Sequence, residues 1–239
     1  MPLGLPKVPF LVPGDEEVTW VELYNVLYRC RVIVLGSEID EESGNQAVGL
    51  LVFLSMDAPN INILFTINSP GGSVVHGLAI YDMMQWVKPE IMTVNLGLAA
   101  SMGSLLLAGG ELSKRSALPN SLTMVHQPAS SFLRTFSVDA ITEARIMLAL
   151  RENVVRAYHN KTGQPIGLIY EDLERDSFMT ATEAQAYGIV DDQGRPDLFK
   201  FPHFRVQDED RRGEDEDRRG DDDIWHRRGK DEDMWGKDE

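Results

Sequence analysis

The sequence predicts an α/β domain built around a largely parallel sheet. Short apolar runs typical of buried strands alternate with segments of helical periodicity along most of the chain. Gly and Pro signals separate these segments, and the alternation stops near residue 206, where a charged tail begins. Hydrophobic residues make up 43% of the 239 residues, which suits one domain of roughly 200 residues with a sizeable core.

The first half of the chain alternates helices and strands. Residues 1–17 are rich in Pro and Gly, and we expect no regular structure there. Beyond them, apolar residues either recur at helical spacing or fill short runs typical of a buried strand. The predicted elements are a helix over 19–30, a strand over 31–37, a helix over 43–58, a strand over 61–68 and a helix over 73–87.

The second half continues this alternation and contains clear helix stop signals. Gly163 and Pro165 are expected to end a long helix. Thr180 or Thr182 can cap the last short helix, and Gly188 can end it. The predicted elements are a strand over 91–97, a helix beginning at Ser101, a strand over 121–127, a long helix over 138–160 and short helices over 166–176 and 180–188.

Charge and cysteine content exclude several function classes. A formal net charge of -15 and a pI near 4.7 argue against nucleic-acid phosphates or an anionic membrane as partners. The single cysteine, Cys30, excludes an intrachain disulfide and a cysteine-rich metal site, and we expect a buried, reduced thiol. Because no signal peptide, transit peptide or membrane-spanning run is evident, we expect a soluble protein that works where it is made.

The charged tail is a degenerate repeat of acidic triplets, basic pairs and glycines over residues 207–239. It has almost no aliphatic residues, so we expect it to be disordered. The ligand spacing of an EF-hand calcium loop is absent, and a docking role for Trp225 and Trp235 is the alternative. The predicted division is therefore a loop segment over 1–19, a main domain over 20–206 and a tail over 207–239.

Ser101 lies between small residues in LGLAASMGSLLLAGG, at the predicted start of a helix. One interpretation is close helix packing through small side chains. The other is a nucleophile whose oxygen lies at the positive end of a helix. A serine nucleophile requires a base to take its proton and a third group to orient that base.

Candidates for these partners occur elsewhere in the chain. His126 ends an apolar strand, where a rigid strand end can direct its ring into a cleft, although a structural role is the alternative. Asp176 follows a short helix and is a candidate orienting group, or else a surface charge. The turn NSPGG, residues 68–72, leaves backbone N–H groups that can donate to an oxyanion, or it is a plain strand-to-helix turn.

Taken together, these segments resemble one family, the proteolytic subunit of the Clp protease. This family comprises barrel-forming serine peptidases that work with ATP-driven unfoldases. The resemblance runs from about Trp20 to Asp192, and the spacing of AASMG from MVHQP also matches (126 − 101 = 25). The matching phrases are INSPGG, GLAIYDMMQWVKP, GLAASMGSLLLAGG, KRSALPNSLTMVHQP and ERDSFMTATEAQAYGIVD.

The resemblance implies a Ser-His-Asp triad and a backbone oxyanion hole. It implies no metal and no bound cofactor in this chain, because ATP is used by the partner unfoldase. The implied roles are Ser101 as nucleophile, His126 as general base, Asp176 as its orienter, the N–H groups of Gly72 and Met102 as oxyanion hole, and Gly71 as the residue that shapes the turn.

The resemblance also implies the fold and the assembly. The fold would be the α/β superhelix of stacked β-β-α units shared with the crotonase group. Its long helix from about Val138 would be a protruding handle that interleaves two heptameric rings into a tetradecamer. Arg175 resembles a position that pairs with an acid on the opposite ring's handle. An AAA+ unfoldase and unfolded proteins would be partners, and whether the rings are homomeric or mixed stays open.

Two sequence features depart from the bacterial family pattern. The segment after HQP is ASSFLRTFS rather than glycine-rich, so alignment of the substrate as an added strand can differ in strength. The patch that receives hydrophobic unfoldase loops has a polar Thr where relatives have Tyr, which predicts weak docking. The residues at the patch positions are Leu64, Thr66, Trp86, Val94, Leu96 and Leu118.

The opening MPLGLPKVPF and the phrase HQPASSF look most like the form encoded in plastid genomes. The resemblance therefore implies the chloroplast stroma, with a bacterial or cyanobacterial cytosol as the alternative. Two other functions stay open at this point: a non-catalytic structural subunit of a mixed ring, and a crotonase-type acyl-CoA enzyme with a similar fold and oxyanion hole.

Overall fold

The architecture is taken from a computed structural model that describes residues 6–11, 18–128 and 137–194. The predicted tail over 207–239 and most of the ASSFLRTFS segment lie outside the described residues. The described strands are β1 (Lys7–Leu11), β2 (Val18–Glu22), β3 (Val32–Leu35), β4 (Ile63–Ser69), β5 (Ile91–Ala100), β6 (Arg115–Ala117), β7 (Leu122–Val125) and β8 (Ser177–Thr180). The described helices are α1 (Leu23–Arg29), α2 (Glu41–Asp57), α3 (Val74–Trp86), α4 (Met102–Ala108), α5 (Ser137–Thr162), α6 (Ile166–Leu173) and α7 (Ala181–Tyr187).

A mixed six-stranded sheet organises the domain. Its main path runs β3-β4-β5-β7-β8, and the short strand β6 also pairs with β5. All of these pairings are parallel except that of β7 with β8, which is antiparallel. The prediction of an α/β fold with a largely parallel sheet is therefore confirmed.

The hydrophobic core lies between this sheet and the helices packed on it. Six of the seven residues of β4 are buried, which is typical of a parallel strand covered on both faces. Helix α4 is buried along its whole length and packs against α3, α5 and three strands of the sheet. Because α4 begins directly after β5, this buried helix fixes the position of the turn that precedes it.

The long helix α5 has two different halves. Its C-terminal half packs into the core through Val154, Val155 and Tyr158, all buried. Its N-terminal half carries exposed apolar side chains, including Ile141 and Leu148. This division agrees with a handle that projects from the domain, and Gly163, with φ of 74°, follows the helix where the sequence predicts its end.

Most predicted elements lie within a few residues of the observed ones, and the N-terminal region is the main correction. Residues 7–11 form a strand rather than irregular chain, and the predicted helix over 19–30 is a strand in its first part. Strands β1 and β2 pair antiparallel. Each strand therefore provides hydrogen-bond partners for backbone N–H and C=O groups of the other, which water would otherwise have to satisfy. Strands β6 and β8 are also absent from the sequence prediction.

A buried ion pair ties β6 to the segment after the last helix. The guanidinium of Arg115 donates to both carboxylate oxygens of Asp191, at 3.0 and 2.6 Å. The Arg115 side chain is only 4% exposed. The Asp191 pKa lies below its ordinary value: burial alone would raise it, but the hydrogen bonds and positive charge of Arg115 outweigh that effect.

Two further features bear on the sequence predictions. Thr180 caps α7 and forms a reciprocal capping box with Glu183, and Gly188 ends the helix in the left-handed conformation. Cys30 is half-buried rather than buried. None of the described helices is both long enough and apolar enough to span a membrane.

Candidate active site

The candidate catalytic residues lie at one edge of the sheet because three neighbouring strands begin or end there. Ser101 directly follows β5, and His126 directly follows β7. Strands β5 and β7 are parallel, so their C-terminal ends lie at the same edge. Strand β8 is antiparallel to β7, so its N-terminal end, preceded by Asp176, lies there too. Sheet topology thus brings together residues that are 25 and 50 positions apart.

Ser101 occupies a sharp turn between β5 and α4. Its backbone has φ of 54° and ψ of -122°, an unusual conformation for a residue with a side chain. The Ser101 amide donates to the Met124 carbonyl at 2.9 Å, which continues the pairing of β5 with β7 by one residue. The side chain itself caps no helical N–H, so its hydroxyl stays available at the edge.

His126 and Asp176 are in contact. Val125 pairs with Ser177 in the antiparallel β7–β8 ladder, so the next residue on one strand faces the preceding residue on the other. The Nδ1 atom of His126 lies 3.3 Å from Oδ1 of Asp176. This contact leaves Nε2 of the ring for another partner. The His126 side chain is 29% exposed and that of Asp176 is 66% exposed.

The third contact of a triad is not formed in this conformation. The Ser101 hydroxyl makes no hydrogen bond with His126 or with any other residue in the described part of the chain. Hydrogen bonds between catalytic groups are often long or poorly aligned until substrate binds, so a missing Ser101–His126 bond is compatible with a nucleophile–base pair. In this structure His126 therefore contacts Asp176, and both residues lie at the same edge of the sheet as the turn that holds Ser101.

The NSPGG turn lies directly against Ser101. A Cβ atom added to Gly71 would come within 2.6 Å of the Ala100 carbonyl oxygen and of Ser101 Cβ. Both Gly71 and Gly72 have positive φ, 93° and 147°, which glycine adopts without steric cost. The glycines therefore allow the turn to approach the nucleophile more closely than any other residues would.

Two backbone N–H groups beside Ser101 are free to donate. The residues that flank Gly72 pair with Ile39, through the Gly71 carbonyl and the Ser73 amide, but the Gly72 amide donates to no described residue. Met102 is the first residue of α4, so its N–H has no partner within the helix. Unengaged amides next to a nucleophile can stabilise an oxyanion.

Ser69 and Asn68 support the turn, and the sequence analysis did not single them out. The Ser69 hydroxyl donates to the Ser37 carbonyl at 2.6 Å and accepts from the Gly71 amide at 3.1 Å. The Asn68 side chain accepts from the Leu98 amide at 3.1 Å, at an irregularity in the pairing of β4 with β5. Both residues belong to the NSPGG motif, which could have indicated them.

The six positions predicted for unfoldase docking do not form one open surface of this chain. Leu64, Thr66 and Val94 are buried because they lie in the central strands β4 and β5. Trp86 is 83% exposed and Leu96 is 37% exposed, while Leu118 is half-buried. The docking role of these residues stays a prediction.

Arg175 is exposed and forms no ion pair with another described residue. Its predicted contact with a second subunit therefore also stays a prediction. No cluster of His, Cys, Asp and Glu within the described residues has the arrangement of a metal site. The arrangement at the sheet edge offers a hydroxyl, an imidazole–carboxylate pair and two free amides, which together suit acyl transfer.

Comparisons with known proteins agree with this chemistry. The family model described as Clp protease matches residues 14–195. The chain is 53% identical over 191 residues to a protein of Eucalyptus globulus subsp. globulus named ATP-dependent Clp protease proteolytic subunit. Proteins of the same name from Nicotiana tabacum and Gossypium hirsutum are 53% and 54% identical. Each of these alignments covers 80% of this chain and 97% of the relative.

Proposed function

The chain belongs to the Clp protease family, and we propose that Ser101, His126 and Asp176 form its catalytic triad. Membership makes it the proteolytic subunit of an ATP-dependent Clp protease, a serine endopeptidase. The observation that carries the triad is the contact between His126 and Asp176, 3.3 Å, beside the turn that holds Ser101. The free amides of Gly72 and Met102 supply the oxyanion hole in this proposal.

The first half of the reaction forms an acyl-enzyme. Ser101 Oγ attacks the carbonyl carbon of the scissile peptide while Nε2 of His126 takes the hydroxyl proton. Asp176 holds the ring through Nδ1 and stabilises the imidazolium that results. The oxyanion of the tetrahedral intermediate accepts from the Gly72 and Met102 amides. The C–N bond then breaks, and His126 returns the proton to the departing amine.

The second half releases the acid product. A water molecule gives its proton to His126 and attacks the ester carbonyl on Ser101. The second tetrahedral intermediate uses the same two amides and collapses to expel Ser101, which recovers its proton from the ring. No step in this sequence requires ATP, so we assign ATP hydrolysis to a partner AAA+ unfoldase that delivers unfolded polypeptide.

Labelling with a fluorophosphonate probe tests the nucleophile. The Ser101→Ala variant should show no labelling and no cleavage of a small peptide, because the probe forms its bond with the activated hydroxyl. Ser55→Ala is the matched control, since Ser55 is a half-buried serine on α2, outside the site. Unchanged labelling of Ser101→Ala would refute the triad assignment.

We also propose that the subunit works in two stacked heptameric rings. Proteolytic subunits of this family form oligomeric rings, and the described chain exposes large apolar side chains on two helices. Such exposure is typical of surfaces that another chain covers. These residues are Val52, Phe53 and Met56 on α2 and Ile141, Ile146 and Leu148 on α5. Native mass spectrometry of the purified particle measures the subunit number and whether the rings are mixed.

Finally, we propose the chloroplast stroma as the location. The support is the similarity to proteins from Eucalyptus, Nicotiana and Gossypium together with the plastid-like opening of the sequence. Immunodetection in fractionated chloroplasts tests this assignment. Recovery of the subunit with thylakoid membranes or outside the plastid would contradict it.

A further inference from the structure

A buried pair of hydroxyl groups lies beneath the nucleophile turn. Ser104 is on α4 and fully buried, and Tyr158 is on α5 and 2% exposed. Their oxygen atoms are 2.7 Å apart. Ser104 Oγ also lies 2.6 Å from the Ser101 carbonyl and 2.7 Å from the Met124 carbonyl. The pair thus connects α4 and α5 to the two chain segments that carry the nucleophile and the base.

The proton count gives each hydroxyl a role. A serine hydroxyl has one proton, so Ser104 can donate to only one of the two carbonyls at a time. Its oxygen can then accept from the Tyr158 hydroxyl at 2.7 Å, and the same hydroxyl also lies 3.4 Å from the Ser101 carbonyl. Burial raises the pKa of Tyr158 far above its ordinary value, although the hydrogen bond with Ser104 partly offsets this effect. The phenol is therefore protonated at neutral pH.

The Met124 carbonyl is the point at which this network acts on the site. It accepts from the Ser101 amide at 2.9 Å and lies within hydrogen-bond distance of Ser104 Oγ. Met124 lies on β7 and precedes His126, which follows the strand, by two residues. Both serines therefore hold the end of the strand that carries the base. A shift of Met124 relative to the turn would change the distance from Ser101 Oγ to His126 Nε2.

We propose that Ser104 and Tyr158 are positioning residues that set the distance between the nucleophile Ser101 and the base His126. Neither hydroxyl touches the substrate. Ser104 acts through the Ser101 and Met124 carbonyls, and Tyr158 acts through Ser104 and through its own bond to the Ser101 carbonyl at 3.4 Å. This inference rests on the proposed triad. Without such a role, the two buried hydroxyl groups would serve only as hydrogen-bond partners for each other and for nearby carbonyls.

Steady-state cleavage of a small peptide by the assembled particle tests the proposal. Ser104→Ala and Tyr158→Phe should each lower kcat about 10- to 100-fold, because misplacement by a fraction of an ångström to 1 Å has effects of that order. KM should change less than about twofold, since the substrate contacts remain. The double variant should lose little more kcat than the less active of the two single variants, because both hydroxyls hold the same Ser101 carbonyl.

Thr93→Val is the matched control. Thr93 is fully buried, and its hydroxyl donates to the Leu107 carbonyl of the same helix α4 at 2.7 Å. That bond lies at the end of α4 away from Ser101, so its loss affects packing without affecting the nucleophile turn. We expect Thr93→Val to keep kcat within about twofold of the unsubstituted enzyme.

Three outcomes would overturn the proposal. The first is an unchanged kcat in either hydroxyl variant, and the second is an equal loss in Thr93→Val. The third is a loss that appears in KM alone. If a variant assembles poorly, fluorophosphonate labelling rates of the isolated full-size particle replace kcat, with the same expectations. If Ser101→Ala is inactive but Ser104→Ala and Tyr158→Phe keep their kcat, only this inference is rejected. If the fluorophosphonate probe still labels Ser101→Ala, the proposed triad itself is rejected.

Discussion

The backbone of Ser101 shows how a single residue is shaped for its proposed role. Its φ of 54° lies in a region that residues with side chains rarely adopt. The backbone strain is held by structure on both sides: the Ser101 amide donates a hydrogen bond to the Met124 carbonyl, and the buried helix α4 follows directly. A serine in regular strand or helix would direct its hydroxyl into packed neighbours, whereas this turn leaves it at the sheet edge.

Gly71 allows a residue-scale test of the close approach at this turn. We expect Gly71→Ala to reduce kcat at least about 100-fold, because the added Cβ would lie 2.6 Å from Ser101 Cβ and from the Ala100 carbonyl oxygen. The φ of 93° adds backbone strain. Peptide cleavage and thermal unfolding of the assembled particle are the measurements.

Gly49→Ala provides the control for this substitution. Gly49 lies on α2, and nothing is within 4 Å of an added Cβ there. This substitution should keep full activity and stabilise the helix by up to about 1 kcal/mol. Normal activity of Gly71→Ala would show that the turn does not need to approach Ser101 so closely.

At the scale of elements, strand direction decides which residues meet. The parallel pairing of β5 with β7 and the antiparallel pairing of β7 with β8 bring Ser101, His126 and Asp176 to one edge. Reversal of either strand would move its functional residue to the opposite edge, a full strand length away. The antiparallel pairing of β7 with β8 is thus what brings Asp176 beside His126.

The ion pair between Arg115 on β6 and Asp191 after α7 can be tested by mutation. Asp191→Asn should lower the free energy of unfolding by about 3 kcal/mol at pH 7, because it leaves the charge of Arg115 buried without its partner. Glu152→Gln, which breaks an exposed pair with Arg156, is the control and should cost at most about 0.5 kcal/mol. Urea unfolding measures both effects, and equal losses would contradict the assignment of Arg115–Asp191 as a structural bond.

The same pair predicts the pH dependence. The Asp191 pKa is lowered in the folded chain, so its carboxylate stabilises the fold above the ordinary value of 3.8 and loses that effect as the pH falls through the lowered value. The stability difference between the unsubstituted chain and Asp191→Asn should therefore narrow below about pH 4. A difference that stays constant down to pH 2 would contradict this linkage.

At the scale of the whole molecule, the exposed half of α5 is the surface proposed to join the two rings. We expect Leu148→Glu to convert the stacked particle into single rings of half the mass. Leu148 is 64% exposed, and burial of a charged side chain against a second ring is unfavourable unless that ring supplies a partner for the charge. Sedimentation velocity or native mass spectrometry gives the particle mass.

Leu112→Glu is the matched control for the assembly prediction. Leu112 is an exposed leucine outside α5, so this variant adds the same charge away from the proposed ring contact. It should keep the full mass. If Leu148→Glu keeps the full mass as well, the handle does not join the rings through this face.

The limits of sequence-based prediction follow from the range of the interactions involved. Helices α2 and α3 were predicted within about two residues because their periodicity and end signals are local. Strands β1, β6 and β8 were missed because a short strand is stabilised by partners elsewhere in the chain, and its own residues carry little signal. Leu64, Thr66 and Val94 were assigned to a docking patch although their runs are typical of buried strands, since the sequence does not show which positions of a strand other elements cover.

The sequence by itself determined the family, the α/β class and the identity of the three candidate catalytic residues, since short motifs at fixed spacing carry that information. Only the tertiary structure decided that His126 contacts Asp176 while the Ser101 hydroxyl stays free, and that Ser104 meets Tyr158, which lies 54 positions further along the chain. Such contacts depend on how distant strands and helices pack. Close packing of the interior, rather than the local sequence pattern, fixes the distances between these atoms to within a few tenths of an ångström.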